Sequence, residues 1–205
     1  MKIKHKEIKQ LNITAVFEEI DYISITAEKM RKAFELNEKG RRSSPFLEPS
    51  PSTKILGIPN RQKDIIIQDN RLRVNDNSGK EPTKSELVKY FQIAFNNFVD
   101  EIKLIAYGFN YDILVKSEKK INFKKLLGRN MLKSLLGSSI LESGTRVLFT
   151  KGEKLYDLRI SPTGDPYEIL FHLNAHYSLK KINLPQLRKQ LNENYLELIR
   201  IMEEV

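Results

Sequence analysis

Two histidines sit four residues apart in "EILFHLNAHYSL", residues 168–179, and pose the first chemical question of this chain. On a helix, positions i and i+4 share a face about 6 Å apart, so His172 and His176 could chelate one ion. The surrounding residues argue for a different geometry. Ile169, Phe171, Leu173, Ala175 and Tyr177 occupy the odd positions, while Glu168, His172, Asn174, His176 and Ser178 occupy even ones. A period of two is the mark of a half-buried strand. There the two rings still share a face but stand roughly 13 Å apart, at about 3.3 Å per residue. Zn–N bonds are about 2 Å long, so the pair is not expected to share a zinc ion. No metal site and no cofactor is expected.

An acid–base role is the other chemistry that these rings could perform. The preceding segment "KLYDLRIS" alternates too, with Tyr156, Leu158 and Ile160 on one face and Asp157 and Arg159 on the other. Folding the two strands about "PTGDPY" allows Asp157 to lie opposite His172, and a shift of two residues brings Arg159 there instead. A carboxylate beside an imidazole can orient it as a general base. His172, Asp157 and His176 are therefore the catalytic candidates. No nucleophile or oxyanion donor stands at a telling spacing, and cross-strand polar pairs on sheet faces are routine. The favoured reading is an ordinary polar sheet face. His5 falls near a terminus expected to fray.

Charge gives the stronger functional hint. The chain has 35 Lys and Arg against 26 Asp and Glu, a formal net charge of +9. Residues 116–151 alone carry nine Lys and Arg against two acids. The segment "NFKKLLGRNMLKSLLG" reads as a helix over 122–136, capped by Asn122, with Lys125, Arg129 and Lys133 in an i, i+4 row. With Lys119, Lys120 and Lys124, these cations suit a run of phosphates. The expected function is non-catalytic binding of an anionic partner, nucleic acid foremost or an acidic protein, through this basic helix. Two alternatives stand beside it: an enzyme using Asp157 and His172, and a structural subunit of an assembly.

Other chemistries are excluded more directly. There is no cysteine, which removes disulfides, thiolate nucleophiles and cysteine-bound zinc. P-loop, GxGxxG, GxSxG, HExxH and EF-hand patterns are absent. The basic start is not followed by an apolar run, so no signal peptide is expected. No aliphatic run approaches the length of a membrane span. A cytoplasmic protein without membrane attachment is the expectation.

These residues must be positioned by an α+β fold. "ITAVFEEIDYISI" reads as a strand and leads to a helix capped by Thr26 and ended by Gly40. Residues 41–54, rich in Ser and Pro, read as an extended loop. "KDIIIQDNRLRVND" reads as a hairpin turning at Asp69-Asn70. Thr83 and Glu86 form a capping-box pattern before a helix with Leu87, Phe91, Ala94, Phe95, Phe98 and Ile102 on its apolar stripe. "IAYGFNYDILV" alternates again, and three strands follow from residue 145. The last helix is striped by Leu184, Leu187, Leu191, Tyr195, Leu198 and Met202. The order suggests two βαββα-like units, 1–102 and 103–205, with mainly antiparallel sheets packed on helices. One compact domain is the alternative, and a homodimer is a further expectation.

Overall fold

The computed structural model describes residues 2–36, 44–122, 144–178 and 181–204. Its strands form one sheet rather than two. Nine antiparallel strands run in the order β2-β3-β4-β5-β1-β6-β9-β8-β7. They are β1 (Ile3–Phe17), β2 (Phe46–Ser50), β3 (Thr53–Ile58), β4 (Lys63–Gln68), β5 (Arg71–Asp76), β6 (Leu104–Ser117), β7 (Thr145–Lys151), β8 (Lys154–Pro162) and β9 (Glu168–Tyr177). The described helices are α1 (Ala27–Ala33), α2 (Leu87–Phe98) and α3 (Leu187–Glu204). The protein is α+β, but the sheet dominates.

The two halves of the chain meet at β1 and β6, the longest strands. They pair from Ile3 opposite Ser117 to Phe17 opposite Leu104, with bulges that displace Lys4 and Lys9. Each then receives the last strand of its own half. β5 returns to β1 and β9 returns to β6. This corrects the expectation of separate sheets. Strong alternation on both long strands gives each an apolar face, and joining them lets both faces cover one core. It also corrects the reading of the basic N-terminus. His5 is not on a frayed end but in β1, opposite Lys116.

Local signals explain most of the elements. Thr26 caps α1 by accepting from the Lys29 N–H at 3.2 Å. That helix ends at Ala33, well before the expected Gly40 stop, and Phe34 folds back into the core. The Asp69-Asn70 turn has both residues at positive φ (51° and 56°), the geometry of a tight two-residue hairpin. The loop expected over 41–54 is corrected where it is described. Phe46–Ser50 is the outermost strand and Thr53 already begins β3. Pro49 is tolerated because an edge strand has one side without a ladder.

The alternation then sorts the sheet into two faces. Leu11, Ile13 and Ala15 of β1, Phe109, Tyr111 and Ile113 of β6, and Phe171, Leu173 and Ala175 of β9 are buried on one face. The helices cover that face, α2 against β5 and β1, and α3 against β6 and β9. Helix α2 begins later than the capping-box pattern suggested. Ser85, not Thr83, accepts from the Leu87 N–H at 3.0 Å. Ile102 leaves the apolar stripe altogether and is exposed in a short 3-10 turn.

Two polar networks anchor the helices to the sheet. Under the start of α2, Lys63 and Asp76 form an ion pair of 2.9 Å with side chains 4% and 1% exposed. Asp76 also accepts from Ser85 and from the Ser78 N–H, and Lys63 donates to the Arg61 carbonyl. Under α3, Asn194 is fully buried and bridges two tyrosines. It accepts from Tyr156 at 2.9 Å and donates to Tyr177 at 3.0 Å. Tyr111 donates to the Leu191 carbonyl at 2.6 Å. Burial pushes the Tyr156 hydroxyl up to about 12 and that of Tyr111 well above its usual range. Both stay neutral donors.

Candidate anion-binding site on the open sheet face

The second face of the sheet is crossed by no helix among the described residues. Its centre is a row of asparagines, one from each of four adjacent strands. Asn75 lies opposite Asn12, Asn12 opposite Asn110, and Asn110 opposite Asn174. The row exists because each asparagine is a polar position within an alternating strand, and the registers bring the four level. Asn174 donates to Asn110 at 2.7 Å, and Asn110 donates to Asn12 at 2.6 Å. Thr14 donates to the same Asn12 oxygen at 3.2 Å. The amides of Asn174, Asn110 and Asn12 are oriented in this way one by the next, while Asn75 continues the row by register alone.

His172 lies in the row beside this one. Its Nδ1 is 2.7 Å from Asp112 Oδ1, directly across β6 and β9. A carboxylate accepts from the ring, so in a neutral imidazole this contact places the proton on Nδ1. The expected Asp157 partner is therefore corrected. In the β8–β9 register Arg159 lies opposite His172, and Asp157 lies opposite Asn174. Asp157 is bound by Arg146 through two bonds of 2.9 and 2.8 Å and by Arg159 at 3.0 Å. The Arg146 guanidinium, with Arg159, holds its carboxyl well below the usual carboxylate range against partial burial. Asp157 is a charge held between two arginines and lies opposite Asn174, not beside His172 to orient its ring.

On the other side of the asparagines the face dips. The row Arg73–Thr14–Gly108–His176 crosses β5, β1, β6 and β9, and Gly108 leaves a gap in it. A depression of about 250 Å³ opens there, with Asn110 and Asn174 along one side and Arg71 and Arg73 along another. The strands approach closely at Gly108. A Cβ at this position would stand 3.0 Å from the Ala175 carbonyl oxygen. His176 contacts Ser178 through Nε2 at 3.1 Å. Arg71 and Arg73 are exposed and make no ion pair among the described residues, and no acid lines the depression. Two fixed positive charges over a floor of amide and hydroxyl groups form a site suited to an anion.

The other sequence candidates are placed as follows. Lys119 and Lys120 are exposed just past β6, and the Lys119 N–H donates to Ser117 at 3.2 Å. Lys124, Lys125, Arg129 and Lys133, and with them all of the expected helix after Asn122, lie outside the described residues. His172 and His176 share the open face, each with a different partner. Among the described residues, no group of three or more metal-ligating side chains comes together. Sequence reasoning missed Asp112, although its place on the polar side of the β6 alternation was legible. It also missed Arg71 and Arg73, whose "RLRV" spacing puts both on one face.

Fold and site together define an α+β protein whose described strands form one nine-stranded antiparallel sheet, with the described helices on one face and a cationic depression on the other. No family model matches the chain, and no curated protein matches it. Among the described residues no helix is long and apolar enough to cross a membrane.

Proposed function

We propose that this chain is a non-catalytic binding protein that docks an anionic partner, nucleic acid, through the basic segment 119–133 and the open sheet face. The observation that carries this reading is the acid-free depression beside Arg71 and Arg73. Elsewhere on the described surface the arginines of β7 and β8 are spent on Asp157, whereas these two remain available. The expected helix 122–136 would add Lys124, Lys125, Arg129 and Lys133, and localised cations of this kind bind phosphates through counterion release. A chain without cysteine fits the cytoplasm. The element order further supports 1–102 and 103–205 as two units of one plan, each opened by a long strand to which its last strand returns.

Catalysis has less support. The Asp112–His172 pair has the orientation of a general base, but no hydroxyl contacts His172 among the described residues, and a base needs a proton to take. The test is fluorescence anisotropy with labelled single-stranded RNA and duplex DNA across a salt titration. Binding at low ionic strength is expected, with log K falling linearly against log salt. Arg71→Ala and Arg73→Ala should each weaken binding and reduce the slope by about 1. No binding to either probe at low salt overturns the reading.

A further inference from the structure

The strands β1 and β5 differ in length, and the difference leaves a notch in the middle of the sheet. β5 ends at Asp76, opposite Leu11. The chain then departs, with the Asn77 N–H donating to the Gln62 carbonyl instead of to β1. Below that point β1 continues through Ile8 to Ile3 and is paired on one side only, to β6. In an antiparallel ladder every second residue directs its N–H and C=O away from its partner strand. Residues 3–8 therefore present ladder groups without a strand to receive them, among the described residues. A cavity of about 770 Å³ lies along this edge, bounded opposite β1 by Gly79, Glu81, Tyr195 and Glu203.

The charges around the notch have an unusual arrangement. Lys4 and Lys6 are exposed on the β1 side and make no ion pair among the described residues. The acids Glu81 and Glu203 are exposed on the loop after β5 and at the end of α3. Lysines on a bare edge often serve only to repel other strands. Here the same cavity also supplies acids to answer them, so the surface is complementary to itself. Self-complementarity is the property that a two-fold interface requires.

We propose that the notch is filled by the same segment of a second copy, residues 3–8 of β1 pairing antiparallel with residues 3–8 of its partner. The topology accommodates this without displacing a strand. In an antiparallel arrangement the partner's β5 would lie beyond the N-terminal end of β1, and each bare half-strand occupies the other's notch. Face matching sets the register once the bulge at Lys4 is counted. Ile3, Lys6 and Ile8 share the helical face with Val115 and Ile113, and His5 and Glu7 share the open face. Ile8 then meets the partner's Ile3, and Glu7 meets the partner's His5. Lys6 meets its own copy on the two-fold axis, between the Glu81 and Glu203 walls of both subunits. The result is a continuous sheet across the dimer.

The experiment is sedimentation velocity on the full chain from about 1 to 100 µM, a range that spans half-saturation of a micromolar interface, with backbone hydrogen exchange at both ends. A concentration-dependent dimer is expected, with amides in 3–8 slowed in the dimer. The double variant Glu81→Lys, Glu203→Lys should raise the dissociation constant about tenfold or more by facing lysine with lysine. Adding Lys6→Glu to it should restore most of the affinity, a rescue that a misfolded chain cannot show. A monomer at every concentration overturns the proposal. So does a dimer that leaves amides 3–8 exchanging as in the monomer, or one that ignores the charge exchange.

Discussion

Asp112 on β6 and His172 on β9 face each other across the ladder with 2.7 Å between carboxylate oxygen and ring nitrogen. The two residues are 60 positions apart in sequence. Their meeting turns a surface histidine into one of fixed orientation, and this has a direct spectroscopic consequence. In the neutral ring the proton should reside on Nδ1, the less common tautomer in water. Long-range ¹H–¹⁵N spectra should show that pattern for His172, and Asp112→Ala should return it to the Nε2–H form. The same tautomer in both proteins would dissociate the pair.

The floor of the depression gives a second prediction. Gly108→Ala brings a methyl group to 3.0 Å from the Ala175 carbonyl oxygen, and backbone at the centre of a sheet gives way poorly. The expected cost is about 1–3 kcal/mol in urea denaturation. Anion binding on the face should weaken together with it, because the added carbon stands where the gap in the row lies. Unchanged stability with unchanged binding would place the site elsewhere.

The buried Lys63–Asp76 pair sets an acid limit to stability. Burial by itself would raise the Asp76 pKa, but hydrogen bonds from Ser78, Ser85 and Lys63 outweigh it and the carboxyl is lowered. A carboxyl depressed by folding contributes stability that is present above its unfolded value, about 3.9. That contribution is lost as the pH falls through the lower folded value. Urea midpoints should therefore drop as acid is added below about pH 4. Lys63→Met, which leaves the carboxylate buried without its cation, should cost roughly 3–5 kcal/mol at pH 7. A loss under about 1 kcal/mol would mean that the neighbouring hydroxyl and amide donors suffice.

Asn194 offers a test of how α3 is held. Asn194→Leu removes the acceptor of Tyr156 and the donor to Tyr177 in a site closed to water. Leaving buried polar groups without partners costs about 1–3 kcal/mol each. The destabilisation should be accompanied by faster hydrogen exchange in α3 relative to α2, since α2 is anchored by the separate Asp76 network. Equal acceleration in both helices would show that the sheet loosens as a whole.

Much of the architecture was written locally. The alternation in β6, β8 and β9 announced strands with one apolar and one polar side, and Asp69-Asn70 announced its hairpin. Of β1, only the part from Ile13 reads as a strand, and that reading runs past its end at Phe17. The alternation also announced that His172 and His176 share one face of their strand. Thr26 announced its cap because a cap is a contact between residues three apart. Pairing is another matter. Alternation specifies which face a residue occupies but is unchanged by a slip of two residues, so Asp157 and Arg159 were equally good neighbours for His172. The register was decided by how β8 and β9 fit their buried side chains into the shared core. Asp112 reached His172 only because β6 lies beside β9, and the asparagine row formed only when four strands came level. Those relationships depend on the tertiary structure, because packing against common helices fixes distant strands relative to one another.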